Sequence, residues 1–133
     1  MYLFLSSRDS LNQYPNNIWY DFTTDFPGEL EVDESWECAL VDIHCIPLIE
    51  REFVVFADIV KQSYIKDTSA SVLRAVYNSG SAFSNPYYIS VNRSNISQVR
   101  VYIRDLETGA IPTESVSQLN CTLAFRKRKR HGK

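Results

Sequence analysis

Short runs of strand-type residues, each closed by a turn signal, recur along this chain and constrain its fold more than any other feature. Ile18, Tyr20, Phe22, Thr24 and Phe26 alternate with Trp19, Asp21, Thr23 and Asp25 until Pro27-Gly28 stops the run. Leu30 and Val32 form a short second piece, ended by Asp33-Glu34-Ser35. Val99, Val101 and Ile103 oppose Arg100, Tyr102 and Arg104, and residues 105–109 supply a turn. Leu119, Cys121, Leu123 and Phe125 then oppose Gln118, Asn120, Thr122 and Ala124. A period of two marks a strand with one face covered. Residues 36–46 differ, being apolar at both parities: Ala39, Val41, Ile43 and Cys45 on one, Trp36, Cys38, Leu40 and Ile46 on the other. That pattern predicts an interior strand covered on both sides and ended by Pro47. Residues 53–60 read the same way, and residues 2–6, 72–77 and 87–92 add shorter runs, for about eight or nine strands. No convincing helical period of ten residues is present, although residues 64–72 have room for a turn of helix.

Composition agrees. Val, Ile, Thr and the aromatics supply 44 of 133 residues, whereas Ala, Leu and Met supply 18, a balance that favours pleated surfaces over long helices. The length suits one domain, and no repeat or linker divides it. The sequence therefore predicts an all-β domain over residues 1–125, a sandwich or a jelly roll, followed by a basic tail over residues 126–133.

Several functional classes fall away. No apolar run is long enough for a transmembrane helix, and residues 1–7 lack the basic start of a signal peptide. Cys38, Cys45 and Cys121 are an odd number with no signal for an oxidising compartment; they are expected to be reduced, buried and small. The product is expected in the cytosol or nucleus. Enzymatic chemistry is poorly supported. His44 lies inside a strand with Asp42 on the same face, and no Ser or Cys is placed to join them; His131 lies in the tail. Cys38 and Cys45, seven apart, face opposite sides of a regular strand and cannot share a metal. Four isolated glycines build no phosphate-cradling loop. The reading is no catalytic site, no cofactor and no metal.

Charge is unevenly spread. Residues 1–58 carry net −10, residues 59–125 net +2 and residues 126–133 net +6. Glu29, Glu31, Asp33, Glu34 and Glu37 read as a solvated acidic loop, or as a face awaiting a basic partner. Arg126, Lys127, Arg128, Lys129 and Arg130 are five consecutive bases, expected to leave the sheet as a flexible arm. Such an arm serves nuclear import, contacts DNA phosphates or hooks an acidic neighbour; a merely solubilising tail is the plain alternative. A body of net −8 over residues 1–125 confines any nucleic-acid role to the tail.

Three ordered blocks carry a resemblance. Phe22-x3-Phe26-x3-Leu30-x-Val32-x3-Trp36-Glu37-x-Ala39-Leu40-x-x-Ile43 resembles the opening block of penton-like and minor capsid proteins from polinton-type elements, adintoviruses and adomaviruses. Phe56-x-Asp58-Ile59-Val60-x-Gln62-x-Tyr64-Ile65-x-Asp67-Thr68, then Val72-Leu73-Arg74-x-Val76, is similar to that family's middle block. Val99-x-Val101-x-Ile103-x-Asp105 and Leu119-x-Cys121-x-Leu123-x-Phe125-Arg126 are similar to its close. Lys66 stands where the family usually has glycine, and Ala70-Ser71 where a proline is common. The resemblance implies a single jelly roll, a vertex or minor protein of the virion capsid. It implies a homopentamer as the self-assembled form, with the major capsid protein as partner. The tail then serves import from the host cytosol into the nucleus before assembly, or faces packaged DNA. Trp19, Tyr20, Tyr64, Tyr77, Tyr87, Tyr88 and Tyr102 exceed the needs of one small core and suit interfaces. The alternatives are a lectin-like ligand-binding β-sandwich and a small accessory protein that binds DNA through its tail.

Overall fold

The strand-type runs pair in a nested order. The computed structural model describes residues 1–9, 11–26, 32–33, 35–65, 68–78 and 80–128. Near the start lie β1 (Tyr2–Ser6) and β2 (Asp21–Asp25), followed by the long β3 (Trp36–Ile46) and the fully buried β4 (Phe53–Ala57). Then come the short β5 (Ser63–Ile65) and β6 (Thr68–Ala70), β7 (Val72–Val76), β8 (Gly80–Ala82) and β9 (Ile89–Ser90). Two longer strands close the chain, β10 (Gln98–Asp105) and β11 (Gln118–Lys127). Strand β1 pairs with β11, β2 with β10, β3 with β8 and β9, and β4 with β7, all antiparallel. Two further pairings, β11 with β3 and β10 with β4, join these into sheets of order β1-β11-β3-β8 and β2-β10-β4-β7. The chain is all-β, with two larger antiparallel sheets in a sandwich-like arrangement and a third, two-stranded sheet of β5 and β6.

Alternation explains which side chains fill the space between the sheets. In the first sheet, Leu3, Leu123 and Leu40 form one inward row, and Leu5, Cys121 and Ile43 the next. In the second, Phe22, Val101 and Ala57 face them. Phe26, just past β2, meets Phe125 of β11 edge to face with centroids 5.6 Å apart, tying the two sheets together. Each such buried aromatic contributes about 1.5–3 kcal/mol.

Strand β3 corrects the expected faces. Leu40 pairs with Leu123 and Asp42 with Thr122, so Val41 is an extra residue on the β3 side. This bulge shifts the pleat by one. Cys38, Leu40, Ile43 and Cys45 therefore all join the core, while Asp42 and His44 point outward. Cys38 and Cys45 share a face, contrary to the regular-strand expectation. The turn of helix allowed for residues 64–72 is instead the β5–β6 hairpin, with Ser63 opposite Ala70 and Ile65 opposite Thr68. The aromatic and β-branched content of that stretch favours extended backbone. The first predicted run shortens to β2 because Ile18 and Asp21 bond each other's backbones at 3.0–3.1 Å in a tight turn. Of the piece expected at Leu30 and Val32, Leu30 lies outside the described residues and Val32 is buried without joining a strand. The expected turn after Asp105 forms: Oδ1 of Asp105 accepts the Glu107 and Thr108 amides at 2.9 Å, and Gly109 takes the left-handed φ of 74° that closes it.

Candidate functional site

The basic segment begins inside the sheet. Strand β11 runs through Lys127, with Arg126 opposite Glu37 and Lys127 opposite Trp36. Nε of Arg126 donates to Oε1 of Glu37 at 3.1 Å, and its guanidinium carbon lies 3.6 Å from the centroid of the Tyr88 ring. The Lys127 ammonium is 6.0 Å from the Trp36 ring centroid. Arg128 donates its backbone N–H to the Ser35 carbonyl at 2.8 Å and Nη1 to Oγ of Ser90 at 3.2 Å. The first three bases therefore fasten β11 to β3 and β9, which corrects the expectation of a free arm from residue 126. The physical reason is register: antiparallel pairing of the two longest strands sets an acid at the start of β3 opposite a base at the end of β11. Glu37 was the available signal. Lys129, Arg130 and residues 131–133 lie outside the described residues.

The acidic cluster is partly spent locally. Oδ1 of Asp33 accepts both the amide and the hydroxyl of Ser35, at 2.8 and 2.5 Å, and these bonds hold its carboxyl below the usual aspartate range. Glu37 serves Arg126, while Glu29, Glu31 and Glu34 lie outside the described residues. His44 is exposed on the outer face of the first sheet, in a row with Ser6, Asn120 and Gly80. The three cysteines are buried thiols; burial, then the Asp42 carboxylate, pushes Cys121 up to about 12. Among the described residues no three His, Cys, Asp or Glu side chains are grouped to hold a metal ion. Among the described residues no helix is long and apolar enough to cross a membrane.

The outer face of the second sheet carries two recesses separated by Arg104. One, of about 400 Å³, has the parallel stack of Phe56 and Tyr102 on its floor, with centroids 4.7 Å apart. The other, of about 480 Å³, is lined by Tyr14, Asn17, Tyr20 and Asp21. Several polar groups of the second recess are already engaged within the chain. Asn17 exchanges two bonds with the Thr23 backbone at 2.8 and 2.9 Å, Tyr14 donates to Asp25 at 2.7 Å, and Asp21 receives the Arg100 fork at 2.7 and 2.8 Å.

The aromatics singled out from the sequence divide into two groups. Trp19 is buried with Tyr20 packed on its edge at 5.4 Å, Tyr102 stacks on Phe56 and Tyr88 lies under Arg126. Tyr64, Tyr77 and Tyr87 are exposed. Sequence reasoning missed Tyr2 and Phe4, which stand 63% and 74% exposed on β1, an edge strand. Their signal was a strand apolar at both parities, of which an edge position covers only one. Compared with protein families, with curated proteins and with solved structures, the chain matches none.

Proposed function

We propose that this chain is a single jelly-roll capsid protein that assembles with copies of itself into a pentameric vertex and contacts a major capsid protein. The observation that carries the reading is the nested pairing. Leaving aside the β5–β6 hairpin and counting β8 with β9, eight strands pair first with last, second with seventh, third with sixth and fourth with fifth. One long hairpin rolled over on itself produces such an order, the arrangement of jelly rolls in capsid and lectin domains. The resemblance of the three sequence blocks to penton-like proteins favours the capsid branch over the lectin one.

The mechanism is complementarity of edges, without catalysis. Each sheet has two edges with unpaired backbone groups, and β1 adds exposed aromatic side chains to its edge. Closing such edges against copies in a ring removes the risk of uncontrolled pairing. Lys129 and Arg130, with Lys133, then serve nuclear import before assembly or meet packaged DNA in the virion. Electron microscopy of the purified chain tests the reading. Pentameric rings are the expected particles, and a field of single domains at micromolar concentration contradicts it.

A further inference from the structure

The two edges of the first sheet are unlike, and they match. At one edge Phe4 projects from the outer face of β1, and Arg8 lies on the exposed turn beyond the strand. At the other edge a recess of about 340 Å³ is lined by Leu48, Ile49, Glu50, Tyr77, Asn78 and Gly80. Leu48 and Tyr77 are both exposed there, and Leu48 lies across Gly80, where a Cβ would come within 3.2 Å of Cδ2 of Leu48. Knob and recess share a face and nearly a height. The row Ser6, Asn120, His44 and Gly80 crosses the sheet from edge to edge, and the neighbouring outward row runs from Phe4 through Thr122 and Asp42 to Ala82. Among the described residues neither Arg8 nor Glu50 has a salt-bridge partner, and they carry opposite charge.

We infer that Phe4 of one copy inserts into the Leu48–Tyr77 recess of a second copy, with Arg8 facing Glu50. The inference rests on the reading of the chain as self-assembling and names the surfaces that do it. A second copy is the occupant because one chain carries both halves at opposite edges of one sheet. Two chains set side by side in the same orientation bring β1 antiparallel to β8, continuing the alternation of the sheet. A two-fold dimer through β1 leaves the Leu48–Tyr77 recess empty and gives Arg8 no Glu50 to face, so the contact is head to tail. Head-to-tail contacts generate a closed ring when the rotation closes, as a vertex requires. An exposed aromatic entering an apolar recess is the kind of contact that carries binding energy.

Cysteine cross-linking tests the contact, since the three native thiols are buried and only introduced ones react. Phe4→Cys/Leu48→Cys, treated with a short bismaleimide, is expected to form a ladder of covalent multimers, whereas each single variant remains monomeric on a denaturing gel. Dimers from Phe4→Cys alone overturn the head-to-tail geometry. A double variant without cross-links, while the unmodified chain has an oligomeric native mass, overturns this contact and leaves self-assembly standing. A monomeric native mass for the unmodified chain overturns both. A charge exchange supplies the second measurement. Arg8→Glu and Glu50→Arg are each expected to weaken assembly about tenfold, with the double exchange restoring it. Equal weakening in all three variants counts against the pairing.

Discussion

Arg126 sits over the ring of Tyr88, its guanidinium carbon 3.6 Å from the centroid, and bonds Glu37 from the same position. The chain's most basic stretch thus starts as the last rungs of a sheet, where its first bases latch β11 onto β3 and β9.

Deleting residues 126–133 is expected to destabilise the domain. The loss includes backbone pairing opposite Glu37 and Trp36, one bond to Ser35, a half-exposed ion pair and a cation–π contact. With each contact contributing about 0.5–1 kcal/mol, urea unfolding should show a loss of about 1–3 kcal/mol. Deleting residues 129–133 alone should change stability by less than about 0.5 kcal/mol. Equal stability of the two truncations contradicts the latch.

An acid-linked loss of stability is expected from the Arg51 cluster. Arg51 pairs with Asp105 and Glu114, and one of its bonds to Glu114 is 2.8 Å long. The Arg51 hydrogen bond, against a smaller opposing effect of burial, holds the Glu114 carboxyl below the usual glutamate range. A carboxyl lowered in the folded state stabilises above its unfolded pKa and loses that contribution as pH falls through the folded value. Urea midpoints followed by tryptophan fluorescence should therefore fall below about pH 4.3. Arg51→Met should flatten the decline, modestly, because both side chains are about a third exposed. An unchanged slope in that variant contradicts the assignment.

Much of this fold can be read from period alone, and the departures have physical causes. The second sheet's β10 alternates as written because one face of it is covered, and β11 keeps its apolar parity inward although Thr122 and Ala124 on the other parity are buried too. The bulge at Val41 is the main departure. Asp42 and His44 share parity with Cys38 and Leu40, and a polar pair cannot lie on the inward face of a strand whose earlier residues are core. That break in parity was visible, but a run apolar on both sides hides where the slip falls. Strand β8 was invisible because Gly80-Ser81-Ala82 has no apolar period; pairing with β3 alone makes it a strand. The edge aromatics were missed for a different reason, since sheet order is not written in any one strand.

The cysteines give a sharp chemical expectation. All three point into the core, and burial raises Cys38 and Cys121 well above an ordinary thiol. Thiolate is the reactive form. At pH 8 a disulfide reagent should leave the folded chain unlabelled on the timescale of minutes and titrate three thiols once urea unfolds it. Rapid labelling of one thiol in the folded chain contradicts the shared inward face of Cys38 and Cys45.

Native mass across protein concentration and salt tests the central claim most directly, because a self-assembling vertex protein and a binding module differ first in stoichiometry. The account predicts a discrete pentameric mass that persists on dilution into the micromolar range. A monomer at every concentration and salt contradicts it.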